Sequence, residues 1–321
     1  MSDQPVVPAA TVEPPVPAAK LTSELSAKRL LLHVALFLLT LLSCFFIGAV
    51  LSLRTEPNVD DWWSLLLYLI NDPYSAASGA AYALVLISIL LAHELGHYFA
   101  CRYYGIRATL PYFIPAPTLI GTFGAFIRIK EPIRSRRALF DIGIAGPLAG
   151  FVVAIPAVIV GLWIATPAEP LPPDAQTSRY IFQDPLLFQM IQRWLNLPTL
   201  MEWNPIYFAA WVGMLATGLN LLPVGQLDGG HVVYALFGRR GHRWVATGIF
   251  AIICVLAWLS YRVHRWPGWF VYVALLGLML GLQHPPVEDE QRPLDRQRYL
   301  IGMVGLIVFI LSFMPFPIVV E

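Results

Sequence analysis

The stretch Ala76–Cys101, AASGAAYALVLISILLAHELGHYFAC, decides how the rest of the chain is read. It is longer than the roughly 20 apolar residues that a helix needs to cross the hydrocarbon of a bilayer. Glu94 is its one formally charged residue. His93, Glu94 and His97 cluster near its end. Residues four apart share a helix face, so His93 and His97 can present two imidazole nitrogens to one ion. Glu94, next to His93, can reach a water bound to that ion. If the helix runs to Cys101, His93 lies about 12 Å below its end, at ~1.5 Å rise per residue. Polar side chains at such depth are costly unless they pair or bind something, so the trio reads as a metal site with a carboxylate beside it.

Working outward, 57% of the 321 residues are hydrophobic and 13% are charged, against about 25% charged in ordinary soluble domains. Further apolar runs occupy Leu30–Leu53, Leu139–Thr166, Trp203–Leu222, Trp244–Tyr261, Gly268–Leu282 and Leu300–Val320. The expected fold is an all-α polytopic membrane protein with six or seven transmembrane helices, Gly268–Leu282 being the shortest. Residues 1–27, broken by Pro5, Pro8, Pro14, Pro15 and Pro17, read as a disordered tail. Residues 28–321 read as a single multi-span domain. Leu30–Leu53 is about twice the length of a signal-peptide core and no A-x-A site follows it closely, so it reads as a retained anchor. Cys44, Cys101 and Cys254 stand singly and imply no disulfide framework.

The net charge of +1 marks no nucleic-acid partner, but the distribution of charge is informative. Placing the spans in order puts 16 Lys and Arg residues in one set of loops and 5 in the other. Basic residues favour the cytoplasmic side. The expected orientation is therefore N-terminus cytoplasmic, with the site toward that face. The absence of an Arg-rich transit peptide points to a bacterial plasma membrane.

Ile106–Ile129 holds Pro111, Pro115, Pro117, Gly121 and Gly124 and ends in alternating residues, the pattern of a strand or hairpin near the inner face. Asp60–Ile70 and Ile181–Leu195 carry Trp among mixed residues and read either as interfacial segments or as loop.

A zinc site takes a third protein ligand and keeps a fourth position for water. Asn220–Leu221–Leu222–Pro223–Val224–Gly225–Gln226–Leu227–Asp228–Gly229–Gly230–His231 interrupts an apolar stretch. Irregular backbone at membrane depth is tolerated where it lines a cavity or is buried in protein. Asp228 is the one acid in that break and is the expected third ligand.

HELGH and NLLPVGQLDGGH together resemble the two signatures of the site-2 protease family of intramembrane zinc metalloproteases, HExxH and NxxPxxxLDG. The resemblance covers roughly residues 77–235, the expected catalytic core. It implies one Zn2+ per chain, with Asp228 in the position of the family's Asp ligand and Asn220 and Pro223 on the motif's Asn and Pro. It also implies a transmembrane protein as substrate. Gly121–Ala125 and Phe140–Gly150 look like the family's branch without PDZ or CBS domains, and the loop Pro167–Glu202 is too short for a PDZ domain.

The chemistry expected of these residues is hydrolysis of a peptide bond within the membrane. Glu94 acts as general base on a zinc-bound water, and the Gly121–Lys130 strand offers an edge on which an unwound substrate extends. Asn220 either bonds the substrate backbone or oxyanion or makes a helix–helix hydrogen bond. His231 is expected to start a helix, with a second role orienting a ligand left open. Asp141 is read as a helix cap. Gly143, Gly146 and Gly150 have the spacing of a close helix contact, and Arg134, Arg136 and Arg137 that of a membrane-surface charge set. The alternatives are a HExxH membrane metalloprotease of another class, which would need a downstream Glu, and a non-catalytic membrane protein, either an inactive relative or a metal-ion transporter.

Overall fold

The computed structural model describes residues 26–53, 61–168, 180–199, 201–281, 287, 289 and 293–320. Residues 1–25 of the expected tail lie outside them. Helix α1 (Ala27–Leu51) begins where the Ser26 hydroxyl accepts the Arg29 N–H. A short helix, α2 (Trp62–Asn71), leads to α3 (Pro73–Tyr103), whose start is set by the Asp72 carboxylate accepting from the Ser75 N–H and by Pro73 in the first turn. Proline loses no bond there, because the first N–H groups have no intrahelical partner. Strands β1 (Tyr112–Pro115) and β2 (Thr122–Phe126) come next, then α4 (Arg136–Trp163) and β3 (Tyr180–Phe182). After them run α5 (Leu186–Trp194), α6 (Pro205–Asn220), α7 (Asp228–His264), α8 (Gly268–Gly281), α9 (Arg296–Ser312) and β4 (Ile318–Val320).

Each of the seven apolar runs carries helix. Among the described residues four helices, α1, α3, α4 and α7, are long and apolar enough to cross a membrane. Helices α6, α8 and α9 have 16, 14 and 17 residues, below the roughly 20 that one straight span needs. The bundle carries large apolar side chains on its outside, among them Leu42, Val152, Val255, Val271 and Leu306, each more than half exposed. A surface so apolar is compatible with lipid and not with water. Its interior is centred on α3, α4 and α6, with Tyr82, Leu86, Phe140, Phe151 and Met214 in one buried cluster.

Two runs differ in detail from their expected outlines. Trp244–Tyr261 belongs to α7, which reaches back to Asp228 through a break at Gly238 (φ 70°, ψ −178°). Leu300–Val320 is helical only to Ser312. Pro315 and Pro317 cannot donate to a helical ladder, and the described residues end in β4, antiparallel to β3 with Tyr180 opposite Val320. The described part of Asp60–Ile70 enters α2, and Ile181–Leu195 holds the end of β3 and all of α5.

The expected hairpin is present as an antiparallel pair, Tyr112 opposite Phe126 and Phe113 opposite Ala125. It is tied into the bundle rather than lying on it. His33 Nδ1–H donates to the Pro111 carbonyl (3.2 Å), Ser43 to Ala116 (3.1 Å) and Tyr82 to Ile120 (2.8 Å). Gly121, at φ +84°, approaches α1 so closely that a Cβ would stand 2.9 Å from the Cys44 Cα, so only glycine meets both demands there.

Candidate metal centre

Helix α3 presents His93 and His97 one turn apart, and Asp228 at the first turn of α7 faces both. Asp228 Oδ2 is 3.1 Å from His93 Nε2 and 3.3 Å from His97 Nε2. The two Nε2 atoms are 3.1 Å apart. Among the described residues these three side chains form the group whose ligand atoms lie mutually within 4.8 Å. His93 and His97 are 6% and 7% exposed, so water cannot solvate the cluster freely.

The arrangement fits zinc. Spokes of about 2.0–2.1 Å to nitrogen and oxygen, set tetrahedrally, leave neighbouring ligand atoms roughly 3.3 Å apart. The three observed separations are close to that edge. The donor set of two imidazoles and one carboxylate is a zinc set, and three protein ligands leave a fourth position for water. His97 is further oriented from behind. Its Nδ1–H donates to the Ile142 carbonyl at 2.7 Å, which leaves the Nε2 lone pair pointing at the centre.

Helix α4 makes this geometry possible by lacking side chains. A Cβ on Gly146 would stand 2.1 Å from His97 Nε2, and one on Gly150 would stand 3.1 Å from His93 Cβ. A Cβ on Gly143 would stand 2.9 Å from His231 Cβ. The reciprocal contact is Gly96 on α3, whose Cβ would meet the Ala145 carbonyl at 2.4 Å. The glycine spacing seen in the sequence thus seats α4 against the faces of α3 and α7 that carry the candidate ligands. His231 lies in the first turn of α7, its N–H bonded to the Leu227 carbonyl at 3.0 Å, in line with the helix-start expectation.

The break between α6 and α7 delivers Asp228. Gly225 adopts φ +59°, and the turn folds so tightly that a Cβ on Gly229 would stand 2.0 Å from the Leu221 carbonyl. Asn220, the last residue of α6, places Nδ2 3.4 Å from His93 Nε2. Glu94 is 6% exposed, and the backbone amide of Ile127, just after β2, lies near its carboxylate. The hairpin thus packs on α3 close to Glu94, beside the candidate centre.

Two expectations about charged residues are corrected. Asp141 is not a cap. Ser135 caps α4 by accepting the Ala138 N–H at 3.2 Å, while Asp141, in the second turn, accepts from Tyr104 and Arg298. Arg136 does not stay with the surface set. Its guanidinium turns inward to the carbonyls of Ala235 (2.9 and 2.6 Å) and Leu236 (3.0 Å), at the Gly238 break. It thereby satisfies the end of the helical segment that carries Asp228, where cations and donors are favoured. Sequence reading missed this residue, because one arginine among several near a helix start carries no signal of its partner.

Residues 81–260 match peptidase family M50. The chain is 32% identical over 300 residues, 87% of its length, to the probable chloroplast zinc metalloprotease EGY1 of Arabidopsis thaliana, and covers 52% of that protein. It is 30% identical over 265 residues (81% of its length, 46% of the relative) to the probable chloroplast zinc metalloprotease EGY2 of the same plant. The EGY2 of Oryza sativa subsp. indica is 29% identical over 272 residues (83% and 48%). The chain thus spans about half the length of these relatives. Their names place them in chloroplasts, so the expected bacterial plasma membrane draws no support from them. No solved structure gives a significant match.

Proposed function

The chain belongs to peptidase family M50, the site-2 protease family, and from that premise we propose that it is a zinc-dependent endopeptidase cutting peptide bonds in or near transmembrane segments of membrane proteins. The observation that carries the reading is the convergence of His93, His97 and Asp228, distant in sequence, within 4.8 Å of one another in a buried site. In this reading they hold one Zn2+ per chain within a single domain over 28–321, whose catalytic core is 77–235.

Bound there, zinc supplies Lewis acidity, polarising a carbonyl and acidifying a water. The chain's own residues do the rest. Glu94 takes a proton from the attacking water as its oxygen bonds to the scissile carbon. When the C–N bond breaks, Glu94 returns that proton to the departing amine. Asn220 holds the substrate carbonyl oxygen as charge develops on it. A helical substrate hides its carbonyls, so it must unwind, and the free edge of β2 supplies main-chain partners for the extended segment. The charge bias of the loops supports a cytoplasmic N-terminus and a site toward that side.

The test uses the full chain in detergent with a transmembrane peptide substrate. Glu94→Gln is expected to keep one zinc per chain and lose cleavage by roughly 10²–10⁴-fold. Asp228→Ala is expected to lose the zinc. Cleavage by Glu94→Gln at the wild-type rate would remove the base from the mechanism. A wild-type chain that binds no zinc would end the reading altogether.

A further inference from the structure

We propose that Arg298 on α9 is a positioning residue for the metal centre, acting through Asp141 and Tyr104 on the contact that orients His97. Two rungs connect α3 to α4. The upper is His97 Nδ1–H to the Ile142 carbonyl, 2.7 Å. The lower is the Tyr104 hydroxyl to Asp141 Oδ2. Tyr104 follows His97 by seven residues, two turns along the same helix face, and Asp141 directly precedes Ile142. The two bonds are therefore adjacent cross-links between the same two helices.

Arg298 fastens the lower rung. Its Nε donates to Asp141 Oδ1 at 2.9 Å, and one terminal nitrogen reaches both Asp141 Oδ2 and the Tyr104 hydroxyl, the latter at 3.0 Å. The other terminal nitrogen pairs with Asp295 one turn back. The planar fork of arginine suits two carboxylates and a hydroxyl at once. Helix α9 is held at the required height by Gly302 and Gly305, one and two turns beyond Arg298. A Cβ on Gly305 would stand 2.5 Å from Ile144 Cδ1, and one on Gly302 3.5 Å from the Phe140 ring. Phe140 and Ile144 flank Asp141 and Ile142 on α4.

The consequence is specific. Arg298 lies beyond residues 81–260, the part matched to the family, yet it bonds the residue next to the carbonyl that aims His97. Without it, Asp141 is left partly buried, at 26% side-chain exposure, with one cation fewer. Relaxation of α4 at that point moves the Ile142 carbonyl, and a metal site tolerates displacement of only about 0.5 Å. Loss of a group supporting a ligand typically lowers metal affinity about 10–100-fold.

The inference rests on His97 being a ligand, so the experiment separates the two. The full chain in detergent is titrated with zinc against a competing chelator, and the visible spectrum of the cobalt-substituted protein reports ligand geometry. Arg298→Met is expected to weaken zinc at least about tenfold and to shift the cobalt spectrum, with Arg298→Lys intermediate. Arg107→Met, which breaks the exposed pair with Glu131, is expected to change neither. An anchor for α9 and nothing more would lower the unfolding midpoint while leaving zinc affinity and the cobalt spectrum of the folded protein at wild-type values, and that result overturns the proposal. Should Arg298→Met fail to fold, Tyr104→Phe decides in its place: weaker zinc supports the proposal and unchanged zinc refutes it. If His97→Ala binds zinc as the wild type does, the ligand reading fails instead.

Discussion

Gly146 of α4 lies so close to His97 of α3 that a methyl group on it would stand 2.1 Å from the Nε2 atom. The imidazole occupies the space that a side chain would fill. Gly146→Ala is therefore expected to displace His97 and weaken zinc at least about tenfold, as loss of a supporting contact does, although every proposed ligand remains. Metal content after dialysis measures this. Full zinc occupancy in that variant would show that α4 can withdraw without cost to the centre.

Asn220 separates two roles by kinetics. Facing the substrate oxygen, its loss in Asn220→Ala costs roughly 10²–10³ in kcat with zinc retained. As a helix–helix partner alone, it would cost on the order of 0.6 kcal/mol of stability and leave kcat near wild type. The first outcome is expected, and steady-state rates with a transmembrane peptide distinguish them.

Arg136 donates to two backbone carbonyls at the end of the segment that begins with Asp228. Hydrogen bonds from a charged group contribute about 1.5–3 kcal/mol, so Arg136→Met is expected to destabilise the fold by that order. Unfolding in mixed micelles, with and without zinc, checks it. A change below about 0.5 kcal/mol, the ordinary surface value, would contradict the cap.

Asp184 supplies a pH dependence away from the centre. It lies between β3 and α5 and accepts from the Tyr207 hydroxyl and from Gln192 at 2.9 Å. Burial holds its carboxyl above the usual carboxylate range, outweighing those two bonds. A raised pKa means that the folded form holds its proton more tightly than the unfolded chain, so this contribution favours folding at low pH and is lost as pH rises through the folded value. Asp184→Asn is expected to flatten that part of the stability profile, starting near the unfolded carboxylate value of about 3.9. Thermal midpoints across the acid range measure it, and parallel profiles for the two proteins would refute the assignment.

Much of the fold was legible in the sequence because lipid imposes a simple rule on composition. Every apolar run forms helix, and the caps at Asp72, Ser135 and Asn204 are side chains that accept from the third N–H beyond them. The hairpin was visible in its glycines and prolines. The helix outlines were less legible at Gly238 and Ser312, where a single backbone angle and a contact with β3 decide what hydropathy averages over.

The candidate site divides in the same way. Chain chemistry alone put His93 and His97 on one face with Glu94 beside them, since helical spacing requires nothing from the rest of the molecule. It also singled out Asp228, as the one acid in a broken apolar stretch. That Asp228 reaches both imidazoles, that Gly146 leaves room for His97, that Ile142 aims it, and that Arg136 and Arg298 secure the two helices behind it were decided only in three dimensions. These are contacts between segments tens to hundreds of residues apart. Which atoms meet depends on how closely one helix can approach another, a property of paired surfaces that no single stretch of chain contains.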